Sequence, residues 1–394
     1  MSATESEYGV MSLHALTFVE EPQGVMVGRP ETGSYAMFPE EGAEAVRHLL
    51  AGMPLADVGE WYEARYGDPL DLEDLRAALA ELGFLRQPGD PDPRPVRGQR
   101  LGRWAFSPPA WAFYLAVIVG ASVLMMTDIT LRPSYRTLFF TSHISLINVS
   151  LALGQFPCVA LHEFYHSLAG RRLGLPSRFS VGRRLYYLVA ETQLNSLYSV
   201  PRRQRYLPFL AGSLMDIVSV SILTLLCAVL RATGAPPWLG GYALALAFTG
   251  VLRLLWQGLF YLETDLYFVI STAVGSTDLQ NAARYLLRCW LGRTFRRSVE
   301  MEPDRWTDHD LRVARFYAPL LVLGYAFSIA TMLWAGLPAT VRFVTTLWHR
   351  FDGSHPLTIG LFIDSVVFIL LSGSQLTLLG YFTIRDWRAK RRTS

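Results

Sequence analysis

Leu138–Gly170 reads LFFTSHISLINVSLALGQFPCVALHEFYHSLAG, a run whose one formal charge is Glu163, with His162 and His166 on either side of it. The run exceeds the roughly 20 apolar residues that cross a bilayer as a helix. In a helix, His162 and His166 lie one turn apart on the same face, with Glu163 next to them. Ionisable side chains are costly at membrane depth, so three of them together call for a shared partner, and a metal ion supplies one. Two histidines beside a non-ligating glutamate form the arrangement in which zinc acidifies its bound water to a pKa of about 7 while the carboxylate takes the proton. In a soluble helix so short a pattern carries little weight; its lipid-like surroundings give it weight here.

Working outward, hydrophobic residues make up 51% of the 394 residues and mean hydropathy is +0.24, which points to a polytopic membrane protein with room for a soluble domain. The net charge of +3 is small, and Lys390 is the sole lysine among 36 basic residues. Those residues cluster between apolar runs, so they report orientation and exclude a nucleic-acid partner. Cys158, Cys227 and Cys289 form neither a metal-binding pattern nor a disulfide framework. The polar, acidic start MSATESEYG is unlike a signal peptide, which places the first domain in the cytosol.

Residues 1–90 are expected to form that domain. LTFVEE, GVMVGR and SYAMF, separated by turn residues, suggest a three-stranded meander. Glu40–Ala51, Leu55–Tyr66 and Leu72–Leu82 follow with helical spacing, and Gly83 closes the third. The Pro-, Gly- and charge-rich RQPGDPDPRPVRGQR marks a linker, set at 91–106. Residues 107–394 then carry six apolar segments: Pro109–Met126, Leu138–Gly170, Leu207–Leu230, Gly241–Gly275, Tyr317–Leu337 and Leu357–Ile384. The expected fold class is therefore mainly α, a membrane bundle of about six spans with a small α+β domain in front. Arg171–Arg205 and Arg284–Arg315 hold eight arginines each, and the tail after Ile384 is basic, whereas the other connections hold few. This alternation predicts both termini in the cytosol of a cell-membrane protein and puts His162 near the cytosolic end of the second span.

A catalytic zinc usually has three protein ligands, so one more is sought at the same depth. Asp265, in YLETDLYFV, is ranked first because its segment also runs inward. Asp216, in LAGSLMDIVS, is second; it is equally suited to pairing with Arg253 or to orienting a ligating histidine. Cys158, one turn before His162, and Glu263, two residues before Asp265, are the other candidates. His143 reads as an interfacial or packing residue and Asp364 has no companion ligand. Gly182–Val189 (GRRLYYLV) suggests a strand at the membrane surface.

Two resemblances follow. VGRPETGSYAMFPEEGAEAVRHLLAG and LAELGFL resemble the peptide-binding winged-helix domain of the pyrroloquinoline quinone peptide chaperone and of precursor-recognition elements in modified-peptide maturation. That likeness implies a leader peptide added as a strand beside Ser34, Tyr35, Ala36, Met37 and Phe38, with Leu72–Leu82 lining the groove. HEFYH, the GSLMD-containing segment and the Asp-bearing segment after it resemble the site-2 protease family of intramembrane zinc metalloproteases over Leu138–Gly275. It implies His162, His166 and Asp265 as zinc ligands, Glu163 as base, one Zn²⁺ per chain, and a peptide or membrane-protein substrate in the lipid bilayer. The family's NPxPxxDG is replaced by LETDLYFV, and its common glycine before the second histidine is Tyr165. The alternative from another class is a non-hydrolytic membrane receptor, immunity protein or maturation scaffold with a structural metal.

Overall fold

A computed structural model describes residues 9–21, 23–90, 95–141, 143–184, 187–193, 195–276, 278–295, 306–333, 341, 344–345, 348 and 358–393. The protein is mainly helical, with a small antiparallel sheet near its N-terminus.

Strands β1 (Thr17–Glu21), β2 (Gly24–Arg29) and β3 (Ser34–Phe38) pair in the order β1-β2-β3. The chain turns between β1 and β2 at Gly24, whose φ of +142° and contact with the Phe38 carbonyl leave no place for a side chain. Alternation divides the sheet into two faces. Phe18, Val25, Val27 and Phe38 join the core made with α1 (Glu40–Leu50), α2 (Leu55–Tyr66) and α3 (Leu72–Glu81), around Val46, Leu49, Leu79 and Phe84. Each such fully buried large side chain contributes about 1.5–3 kcal/mol. Asp71 caps α3 by accepting from the Asp74 N–H at 2.9 Å, and Gly83 follows its end at φ +68°. Val19 and Met26, on the other face, are also buried, outside the core cluster made with α1–α3.

The second half of the expected linker stretch is helical. Gln99–Ala105 forms a helix, α4, which lies on a long helix of the membrane part; Gly102 meets the backbone of Leu168 and Arg172 so closely that any side chain would collide. Residues 91–94, the most proline-rich part, lie outside the described residues.

Among the described residues, five helices are long and apolar enough to cross a membrane. They are α5 (Pro108–Thr127), α6 (Ile144–Arg172), α7 (Arg202–Ala232), α8 (Pro237–Gln257) and α11 (Asp308–Thr331). Their outer surfaces are apolar: Leu153 is 70% exposed and Phe316 77%, the inverse of a water-soluble core. Ile359–Ile384 of the expected sixth segment lies within α12 (Ile359–Thr393), which is apolar over Ile359–Leu371; Leu357 lies outside the described residues. Asp364 on α12 accepts from the Ser145 N–H at 2.9 Å and from its hydroxyl at 2.5 Å, tying α12 to the start of α6.

Three expected stretches are organised differently. Gly241–Gly275 is broken: α8 stops at Gln257, a short 3-10 turn spans Phe260–Leu262, and α9 runs over Asp265–Val274. Glu263 takes a left-handed φ of 58°, unusual without glycine, and so directs the chain into α9. The arginine-rich Arg284–Arg315 connection contains part of a helix, α10 (Leu279–Phe295), which buries Leu279, Ala282 and Ala283 against Ala314, Ala318 and Leu321 of α11. Instead of one strand at Gly182–Val189, a hairpin forms from β4 (Arg178–Arg184) and β5 (Tyr187–Gln193).

Candidate metal centre

His162 and His166 lie on the buried face of α6, 5% and 3% exposed. Their Nε2 atoms are 3.1 Å apart. Asp265 Oδ2 completes a triangle, 3.2 Å from His166 Nε2 and 3.3 Å from His162 Nε2. Among the described residues these three form the one group of His, Cys, Asp or Glu side chains with convergent ligand atoms. Asp265 is the first residue of α9 and so has no N–H bond within its own helix. The side chain of Gln257 supplies one, accepting from the Asp265 N–H at 3.1 Å, while the Thr264 hydroxyl donates to the Gln257 carbonyl at 2.8 Å. The break that ends α8 therefore also sets the position of the carboxylate.

Both imidazoles are oriented from behind. His162 Nδ1 is 2.8 Å from Asp216 Oδ2, and His166 Nδ1 is 2.7 Å from the Pro208 carbonyl, both on α7. Those oxygens accept only, so each Nδ1 donates, and in the neutral ring each Nε2 then turns a lone pair toward the triangle. Asp216 is the second-ranked ligand from the sequence, but its place is behind His162: its other oxygen accepts from Arg253 Nε at 2.9 Å and Nη2 at 2.6 Å. Arg253 also donates to Gln155 Oε1 at 2.7 Å, so α6, α7 and α8 are joined by one buried polar chain. Pairing neutralises both Asp216 and Arg253 away from water.

Glu163, 7% exposed, has Oε1 at 3.9 Å from His162 Nε2, beside the triangle but outside it. Its Oε2 accepts from the Thr192 hydroxyl at 2.8 Å, and the same hydroxyl contacts the Glu163 carbonyl at 3.0 Å, so β5 fixes the rotamer. Asp265 retains 25% of its side-chain exposure, leaving the centre open on that side.

The remaining candidates lie elsewhere. Cys158 is a free thiol outside the triangle, and Glu263 is 3.5 Å from Arg284 on α10. Tyr165 points away from the triangle: its hydroxyl is 2.9 Å from that of Tyr114, which donates to the Ala105 carbonyl at 2.9 Å. It thereby anchors α6 to α4 and α5. Ser34–Phe38 belongs to the N-terminal sheet, where Tyr35 meets Tyr198 of the membrane part with ring centroids 5.9 Å apart.

Sequence reasoning missed Pro208, Gly212, Thr192 and Gln257. For Gly212 a signal existed: it precedes Asp216 by one turn, in the small-residue run Ala211-Gly212-Ser213, which lets two membrane helices approach closely. A Cβ there would overlap both imidazoles. Gly212→Ala is accordingly expected to displace the imidazoles and weaken any metal binding by the triangle, with α7 still helical, as read by metal titration and circular dichroism.

No protein-family model matches the chain, and no curated protein or solved structure matches it either.

Proposed function

We propose that the protein is a membrane-embedded zinc endopeptidase that cleaves a peptide precursor held by its N-terminal domain. The observation that carries this reading is the triangle His162–His166–Asp265 with a separate carboxylate, Glu163, beside it. Two nitrogen lone pairs and a carboxylate facing one another at 3.1–3.3 Å repel unless a proton or a metal cation lies among them, and a metal ion satisfies all three at once. Tetrahedral donors about 2.0–2.1 Å from zinc are about 3.3 Å apart, so the donor set fits that ion in both type and spacing. Three donors and an open side suit a catalytic rather than a closed structural site.

His162, His166 and Asp265 would hold the zinc ion, which when bound would supply a water of pKa about 7 and an electrophile for the scissile carbonyl. Glu163 does the proton work: Thr192 holds one oxygen, and the other faces the centre, ready to take a proton from the attacking water and pass it to the departing amide nitrogen. His162 and His166 stay in one tautomer because Asp216 and the Pro208 carbonyl hold their Nδ1 protons. This reading follows the resemblance to site-2 proteases.

The proposal extends to topology: six crossings, both termini cytosolic, with the arginine-rich connections inside. It also assigns capture of the substrate to the N-terminal domain, read as winged-helix-like. β3 is an edge of the sheet, and an extended leader segment gains affinity there through main-chain hydrogen bonds. The test is to incubate the purified full-length protein in lipid with peptides encoded beside its gene. Specific cleavage that stops on chelation and returns with zinc is expected. A protein that carries zinc yet cleaves none of them, and shows no saturable binding of any leader, removes the peptidase and capture reading.

A further inference from the structure

The sheet face that does not cover its own core is buried against the membrane part. Glu21, the last residue of β1, has 2% of its side chain exposed; Oε1 accepts from Arg205 Nη2 at 2.7 Å and Oε2 accepts from Arg202 Nε. Arg205 is itself buried, donates Nε to the Val200 carbonyl at 2.8 Å and lies over the Tyr198 ring, against which Tyr35 packs. Two residues beyond Glu21, the Gln23 amide donates to the Gly275 carbonyl at 3.0 Å. Gly275 ends α9 in a left-handed conformation, φ 77°, and the Arg202 guanidinium packs directly on it.

Both attachments reach helices of the metal centre. α7 starts at Arg202 and carries the Pro208 carbonyl and Asp216; α9 starts with Asp265 and is capped at its C-terminus by Gly275. A helix as short as the ten residues of α9 has little stability of its own, so the contacts at its ends and sides set where it lies. Gln257 holds the first end, Phe209 of α7 stacks on Phe268 in the middle, and His309 and Gln23 hold the carbonyls of Val274 and Gly275.

We infer that Glu21 and Gln23 are positioning residues for the metal centre: by clamping α7 and the end of α9, the docked N-terminal domain keeps Asp265 in register with His162 and His166. This rests on the zinc-peptidase reading and deepens it. The domain is a fixed wall of the catalytic unit, and a peptide on its β3 edge is presented from one direction. Removing the Glu21 charge leaves Arg205 buried without its carboxylate, which favours undocking.

The test compares the full-length parent in detergent with Glu21→Gln, Gln23→Ala and, as a control on the helical side of the sheet, Glu44→Gln. Hydrogen exchange is followed at the amides of Val269–Gly275, and zinc loss to excess EDTA is timed. Exchange in α9 and zinc loss are each expected to quicken by about tenfold or more in both interface variants, in the range of outer-shell metal-site changes. Amides of Val25–Val27 should stay as protected as in the parent, and Glu44→Gln should behave as the parent. Unchanged α9 exchange in both interface variants overturns the inference. So does faster α9 exchange without faster zinc loss, or faster exchange only when Val25–Val27 also lose protection. A parent that binds no zinc removes the peptidase reading instead, and α9 exchange then still reports whether the clamp exists.

Discussion

Glu163→Gln is expected to keep zinc at the level of the parent protein while peptide hydrolysis falls by about 10²–10⁴-fold, the usual contribution of a positioned general base. Glutamine has nearly the same volume, and its amide oxygen still accepts from the Thr192 hydroxyl, which now lies 2.8 Å from Glu163 Oε2. What it lacks is a site for the water's proton. Oε1 stands 3.9 Å from His162 Nε2, outside the triangle, so the change removes no donor of the candidate site. Zinc per chain, measured beside the cleavage rate, separates the two effects. A variant that still cleaves at the parent rate rules out Glu163 as the base; one that loses zinc as well shows that its carboxylate belongs to the ligand set. A scaffold with a purely structural metal has no cleavage to lose.

Asp265→Ala is expected to empty the centre, whereas Asp216→Asn is expected to retain zinc with affinity lower by about 10–100-fold. The two carboxylates differ in where they face the imidazoles: Asp265 on the Nε2 side, Asp216 on the Nδ1 side. Asp265 Oδ2 faces both Nε2 atoms at 3.2 and 3.3 Å. Asp216 faces His162 Nδ1 and has its second oxygen on Arg253. Losing the first removes a donor and leaves two facing lone pairs; changing the second alters the charge behind a ring that still has its neighbour. Metal titration against a competing chelator measures both. Complete zinc loss in Asp216→Asn with retention in Asp265→Ala would reverse these roles.

Much of the site was legible because residue type and spacing along one helix suffice for it. His162, Glu163 and His166 are local to α6, and helical periodicity puts both imidazoles on one face whatever surrounds them. Asp265 was legible by a weaker rule, the cost of a carboxylate among apolar residues. The N-terminal strands were readable for a related reason, since alternation and turn residues act within a few positions. That Gly241–Gly275 is too long for one span and must tilt, break or project was readable from its length, but the place of the break was not. The segment's hydropathy is continuous, while the break depends on Gln257 bonding to the Asp265 N–H and on the left-handed backbone of Glu263. Helix α10 was hidden because its basic residues read as a topology signal, although its Leu279–Ala282–Ala283 face packs on α11.

The sequence by itself determined that this is a mainly helical protein with apolar spans, that a small sheet precedes them, and that two imidazoles and a carboxylate share one helical neighbourhood. These follow from local periodicity and from the cost of charge in lipid. The tertiary structure decided which of two aspartates faces the histidines, which carbonyl holds His166, which hydroxyl holds Glu163, and that the sheet rests on the helices of the centre through Glu21 and Gln23. Each of those is a hydrogen bond or ion pair between groups from separate segments. Its geometry comes into being when the helices pack, and no pattern along the chain encodes it.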